Sequence, residues 1–477
     1  MSEKQQEKTE VVQEIETTNV GLYKQKKDTK NNMLVGLISL GCDKNRVDSE
    51  VMLTHLKNAG YKFTSDASNA DILIVNTCGF ISGARSESMD AIAELSEYRK
   101  DPNARCKRLI VTGCMAQKWS NQTREEFPEV DIILGVDQYA DIVNIINTSF
   151  NKNKKIVRVS GTGSIPFIRN RVITTPMHYA YLKISEGCDN YCTFCTIPYI
   201  RGRYRSKSIE DIYDEAVDLT NNGATELILV GQDISRYGTD KSGKPELVKL
   251  IKKLSTIKKL KWIRLLYCYP EMITDELLDE MVKNPKLCKY LDIPMQHVAD
   301  GVLKRMNRKT SYADIVNLVE RIQKLPVYVA IRTTFMAGFP GETEEDFNKL
   351  CEFIQKYKLM HVGFFAYSKE EGTVAATLPD QIDEDVKRKR VVKLHKIQRK
   401  VVAEVNKLFV GKTLEVCYEG IDYDRQLFFG RCCYQTPEAD TLVFFKSKKP
   451  VDIGKMYKVK IKKVIGYDLQ GEIEYED

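Results

Sequence analysis

Three cysteines in the stretch EGCDNYCTFC, Cys188, Cys192 and Cys195, are separated by three and then two residues. Thiolates are metal ligands, and three on so short a loop converge on one inorganic centre. A structural zinc site takes four protein ligands. Here His178 lies ten residues before Cys188, and the next histidine is His297. Three ligands suit a four-iron cluster with one iron left open for a further guest. A second trio, Cys42, Cys78 and Cys114, recurs at intervals of 36 residues. Each stands just past an apolar run, in LISLGC, ILIVNTC and LIVTGC. If those runs are neighbouring strands of a parallel sheet, their carboxyl ends share one edge, where ligands bind. Three thiols meeting there imply a second cluster with an open iron. The alternative is a coincidence of buried structural thiols.

The elements that must position these residues are legible. Runs of strand length at 34–40, 71–76, 108–113 and 131–134 alternate with helix-length stretches. That alternation predicts a parallel α/β domain over 33–150. Residues 151–175 are basic and irregular and read as a linker. Six further strands, at 179–184, 225–230, 262–267, 289–293, 328–335 and 361–367, again alternate with helices over 176–406. Six such units make an open, partial (β/α)6 version of the eight-stranded barrel. Residues 383–406 read as a basic helix with Val391, Val392, Leu394, Ile397 and Val401 in an apolar stripe. From 407 to 477, short runs broken by Gly, Asp and Pro read as a small antiparallel β-barrel. Residues 1–32 are polar and read as a disordered leader.

A chain of 477 residues calls for two to four domains. It begins with no apolar signal segment, and its apolar runs are far too short to span a bilayer. A protein without export or membrane insertion is expected in the reducing cytoplasm, where the thirteen cysteines point to metal or redox chemistry rather than disulfides. The net charge of +7 is too small for this length to argue for nucleic acid.

The three-cysteine loop opening a strand–helix barrel resembles the radical S-adenosylmethionine (SAM) superfamily. Two trios in this order resemble its methylthiotransferase branch. SLGCDKNRVDSE, NTCGF and TGCMAQ are similar to that branch's first domain, KISEGCDNYCTFCTIPYIRGRYRS to its radical SAM loop, and the C-terminal β-domain to its TRAM module. The resemblance covers residues 33 to 477. It implies two 4Fe–4S clusters, with SAM chelated by the open iron on Cys188, Cys192 and Cys195, and with sulfur held or supplied at the cluster on Cys42, Cys78 and Cys114. One SAM would donate a methyl group and another would be cleaved to a 5′-deoxyadenosyl radical.

Further segments fit SAM binding. Gly231-Gln232-Asp233 ends a predicted barrel strand, where backbone groups meet the SAM amino group. Gly338-Phe339-Pro340-Gly341 follows another and opens a helix, with Thr343 as N-cap and Asp346 at the third position. Its glycines let the backbone approach an adenine; an ordinary strand-to-helix turn is the equal alternative. Arg332 reaches the SAM carboxylate if its side chain faces inward. Gln296-His297 either lines the cavity or holds a satisfied structural histidine. The other seven cysteines show no partner pattern.

Within the branch, substrates are an adenosine in tRNA or an aspartate on a ribosomal protein. Lys44-Asn45, VGQDISRYG and IGYDLQGE resemble the ribosomal-protein enzymes; Asp43 departs from the proline more usual there. Residues 411–477 carry eleven Lys and Arg against twelve Asp and Glu. A module docking on RNA should be strongly positive. A near-neutral one with Asp422, Asp424, Glu472, Glu474, Glu476 and Asp477 suits a small basic protein, unless those carboxylates are only a solvated surface and tail. The expected substrate is the twelfth small-subunit ribosomal protein, free or on the subunit, modified at an aspartate β-carbon. The rivals are a tRNA adenosine methylthiotransferase and a non-catalytic iron–sulfur or zinc protein that binds RNA. A monomer with an electron donor such as flavodoxin or ferredoxin, and with a sulfur donor, is expected.

Overall fold

Strands Leu34–Ser39, Ile72–Thr77 and Arg108–Gly113 lie side by side and parallel, with Ile132–Leu134 next. Every residue of Ile72–Thr77 and Arg108–Gly113 is buried, as expected of strands covered on both faces. Alternation decides which face each side chain serves. Ile72, Ile74, Ile110 and Ile132 pack with Met52, Leu56 and Ile146 on one side. Leu73, Val75, Leu109, Val111 and Ile133 pack with Ile92 and Leu95 on the other. Each such aliphatic chain contributes roughly 1.5–3 kcal/mol by leaving water.

The computed structural model describes residues 32–159 and 165–475. The expected leader, save Asn32, lies outside them, as do Glu476 and Asp477. Two compact units divide the chain, one running to Thr174 with Thr196–Arg203 added, the other made of Thr175–Cys195 and the chain from Tyr204 onward. In the first unit the sheet gains two edge strands unforeseen in the sequence, Lys62–Phe63 and Ile156–Arg158. The second falls in the stretch read as irregular. Later in that stretch, Arg171 and Thr174 are anchored on buried Glu50, with the Thr174 N–H 2.8 Å from Glu50 Oε1.

The second unit holds six parallel strands in the linear order His361–Ala366, Ala330–Ala337, Leu287–Asp292, Trp262–Leu265, Glu226–Val230, Tyr179–Lys183. This is the open partial barrel. Helix Glu384–Lys407 buries Leu394, Val401, Val402 and Val405, but Val392 is 48% exposed, so the apolar stripe is narrower than expected. Five strands after Thr413 close a barrel. Its pairings are antiparallel except one: Val443–Lys446 runs parallel to Asp468–Ile473.

The β-barrel packs on the amino ends of the open barrel's strands. Glu226, first in its strand, receives Arg264 Nε at 2.6 Å and, from the β-barrel, Arg431 Nη2 at 2.9 Å. The same Arg431 nitrogen lies 2.6 Å from Glu419. Among the described residues no helix is long and apolar enough to cross a membrane.

Candidate active site

Backbone geometry assembles the first trio. Cys42 precedes helix Asp43–Asn58, Cys78 follows strand Ile72–Thr77, and Cys114 opens helix Cys114–Lys118 directly after strand Arg108–Gly113. Because the three strands are neighbours, Cys78 feels the charges of Cys114 and Cys42, and Cys114 that of Cys42. Asn45 ties the edge together, its Nδ2 donating to the Leu40 carbonyl at 2.9 Å and the Thr77 carbonyl at 3.0 Å. The Cys78 N–H donates to Ser88 Oγ at 3.0 Å. Burial pushes the Cys78 thiol up to about 12, and Cys114 adds to the effect. Burial raises Cys114 as well, against the pull of Arg201. Thiols so placed ionise only beside compensating positive charge.

The second trio sits on the loop after strands Tyr179–Lys183 and Ser185–Glu186. Cys188 and Cys192 are buried and Cys195 is half-buried, with its N–H on the Cys192 carbonyl at 2.9 Å. Burial pushes the Cys188 thiol up to about 11, and Asp233 and Cys192 add to it. Arg308 Nη1 lies 3.7 Å from Cys192 Sγ, with its guanidinium 4.4 Å over the Tyr269 ring. Tyr191, inside the loop, holds a left-handed φ of 48°, a costly conformation for a non-glycine residue.

Gly231, Gln232 and Asp233 follow strand Glu226–Val230 beside this loop, and a β-carbon on Gly231 would collide with Ser185 Oγ. Asp233 accepts from Asn190 Nδ2 at 3.0 Å and Ser235 Oγ at 2.5 Å, and burial raises its carboxyl. Gln232 Nε2 donates to Glu186 Oε1 at 2.7 Å. Two buried acceptors, Gln232 Oε1 and Asn190 Oδ1, have no protein partner.

At the other turn, Thr343 caps helix Glu344–Tyr357 in a capping box with Asp346. Glu342 Oε2 accepts the N–H groups of Gly338 at 2.6 Å and Phe339 at 3.1 Å, while Arg390 lies 2.9 Å from Oε1. Burial pushes Glu342 up to about 7. Gly338 and Gly341 have φ of 77° and 76°, and β-carbons on them would press on Lys387 and Arg305. Arg305 also binds the Pro340 carbonyl at 3.0 Å. Protein packing alone therefore requires both glycines.

Arg332 points to carboxylates rather than open space, its Nη1 being 3.1 Å from Asp292 and its Nε 3.4 Å from Asp440 of the β-barrel. His297 is buried, and its Nδ1 accepts the Ala299 N–H at 3.0 Å. Burial pushes it down to about 3, so it stays neutral. His178 sits at the amino end of strand Tyr179–Lys183, away from Cys188, with Nε2 3.0 Å from Glu419. His178, Cys417 and Glu419 bring donor atoms within 4.8 Å of one another. Arg431, 2.6 Å from Glu419, already supplies the positive charge there.

Residues 34–135 match the model of the uncharacterized protein family UPF0004, residues 182–354 that of the radical SAM superfamily, and residues 410–473 that of the TRAM domain. The ribosomal protein uS12 methylthiotransferase RimO of Clostridium botulinum (strain Eklund 17B / Type B) is 47% identical over 443 residues, 93% of this chain and 98% of that protein. The chain belongs to the RimO family of radical SAM methylthiotransferases. The RimO of Desulforamulus reducens is 44% identical over 441 residues, 92% of this chain and 99% of that protein. Among solved structures, TsrM, a radical SAM methyltransferase of Kitasatospora setae, aligns with a TM-score of 0.51 at 13% identity, covering 70% of this chain and 73% of that one. At that identity the likeness shows the fold alone.

Membership of the RimO family implies SAM and a four-iron cluster, and the barrel loop fits both. It offers three soft thiols, the ligand type such a cluster takes. Beside them, Gln232 Oε1 and Asn190 Oδ1 leave acceptors for an amino group. The trio of the first unit offers the same donor set. Sequence reasoning passed over Asp48, Arg201 and Arg308, and did not see the tie made by Asn45. A signal existed for two of them: Asn45 and Asp48 follow Cys42 at steps of three residues, which puts them on one face of a helix. Arg201 and Arg308 carry no such local sign.

Proposed function

We propose that this chain is a radical SAM methylthiotransferase of ribosomal protein uS12, placing a methylthio group on the β-carbon of an aspartate. The observation that carries this reading is 47% identity sustained along 98% of a relative named as a ribosomal protein uS12 methylthiotransferase. With its cluster and SAM bound, the barrel loop supplies one-electron cleavage of a sulfonium and, through it, hydrogen abstraction from an unactivated C–H bond.

The chain's own residues bind, orient and shield. Cys188, Cys192 and Cys195 hold one four-iron cluster with an iron open to SAM. Cys42, Cys78 and Cys114 would hold a second, which would hold or supply the sulfur. Gly231, Gln232 and Asp233, with Asn190, receive the SAM amino group. The turn of Gly338, Pro340 and Gly341 lies along the adenine. Arg332 reaches the SAM carboxylate only by exchanging Asp292 or Asp440. The near-neutral C-terminal barrel favours a basic protein over RNA. The enzyme works as a cytoplasmic monomer with flavodoxin or ferredoxin as reductant and a separate sulfur donor.

The test compares a deletion strain with its parent. The uS12 aspartate should lose its methylthio mass on deletion and regain it on complementation, with tRNA nucleosides unchanged. An unchanged uS12 with loss of methylthioadenosine from tRNA would replace this reading by the tRNA one.

A further inference from the structure

We propose that Arg201 is a positioning residue that sets the reduction potential of the cluster on Cys42, Cys78 and Cys114, acting through the Cys114 sulfur. This deepens, and rests on, the assignment of a cluster to that trio. Arg201 ends helix Ile197–Arg201, within the segment Thr196–Arg203 that folds as part of the first unit. Its side chain is among the largest fully buried ones of the described residues, at 1% exposure. Nη2 lies 3.5 Å from Cys114 Sγ and 2.7 Å from Asn45 Oδ1, and Nη1 lies 2.8 Å from Asp48 Oδ2. Asn45 is itself fixed, because its Nδ2 is spent on the carbonyls of Leu40 and Thr77. The guanidinium is thus held in one orientation, with an N–H toward the sulfur and another toward a carboxylate. Ile200 packs beside it against Cys114 and Val136 and keeps water off that sulfur.

Burying a guanidinium is costly, and a five-residue helix does not need one to end. Its use here is electrostatic. A cluster ligated by thiolates gains negative charge on reduction, and a cationic N–H on a ligand sulfur stabilises the reduced form. Asp48, bonded to the same guanidinium, works the other way. The two residues should therefore move the potential in opposite directions, which a merely structural pair would not do.

The experiment uses the full chain with Cys188→Ala, Cys192→Ala and Cys195→Ala, so that only the first cluster can assemble. After anaerobic reconstitution with iron and sulfide, this parent should carry about four irons. Redox titration followed by electron paramagnetic resonance then gives its midpoint potential. Arg201→Gln should make reduction about tenfold less favourable, a downward shift of about 59 mV for one electron. Asp48→Asn should shift the potential upward. Asp48→Asn with Arg201→Gln, which removes both members of the Arg201–Asp48 ion pair together, should fall below Asp48→Asn alone and decides the matter if the single arginine variant does not fold. A parent without iron would sink the cluster assignment itself. A parent with four irons, and a double variant equal to Asp48→Asn, would overturn the role of Arg201 alone.

Discussion

A β-carbon on Gly41 would lie 2.7 Å from the Cys78 β-carbon and 2.8 Å from its sulfur. The glycine before the first cysteine is thus the spacer that admits the second, and its φ of 89° suits no other residue well. Gly41→Ala should cost about 1–3 kcal/mol in backbone strain and displace Cys78. Reconstituted iron should fall from about eight to about four per chain. Formation of 5′-deoxyadenosine should persist while methylthiolation is lost. Full iron retention would show that Cys78 yields freely.

Replacing Cys188, Cys192 and Cys195 by alanine should remove the other four irons, by the same count, and abolish 5′-deoxyadenosine formation from SAM. Chromatography of the anaerobic reaction reads this directly. Continued modification of uS12 by the triple variant would contradict the assignment.

Gln232 Oε1 is a buried acceptor awaiting a donor. Gln232→Leu keeps the volume and removes it. If that oxygen receives the SAM ammonium, a charge-assisted bond worth roughly 1.5–3 kcal/mol disappears, and SAM binding by equilibrium dialysis should weaken by more than tenfold with the iron content unchanged.

Burial works to raise the carboxyl of Glu226, but the guanidinium groups of Arg264 and Arg431 overcome it and hold the group at about 2, below its ordinary 4.5. A depressed acid stabilises the fold fully above its unfolded value and loses that contribution as pH falls through the folded one. The part of the C-terminal barrel's packing that Glu226 carries should therefore be constant above about 4.5 and weaken between 4.5 and about 2. Arg431→Met removes the guanidinium that Glu226 and Glu419 share, leaving Glu226 only Arg264 and Glu419 only His178, and should cost about 3–5 kcal/mol at neutral pH. Urea denaturation across pH checks both; a flat acid limb would refute the linkage.

Local patterns were enough for much of this protein. Cys188, Cys192 and Cys195 announce themselves through spacing within eight residues, and Thr343 with Asp346 through a cap that spans one turn. The buried strands Ile72–Thr77 and Arg108–Gly113 are built on the unbroken apolar runs at 72–75 and 109–111, and parallel pairing follows from the helices between them. The edge strands Lys62–Phe63 and Ile156–Arg158 were hidden because two or three residues carry no periodicity. Only the folded chain brings Arg201 to Cys114, 87 residues away in sequence, or Arg308 to Cys192, 116 away. Only the fold turns Arg332 toward Asp440, and only the fold gives Gly338 its reason in Lys387. Ligand spacing and hydrophobic period are written along the chain, whereas which charge meets which sulfur depends on how distant segments pack.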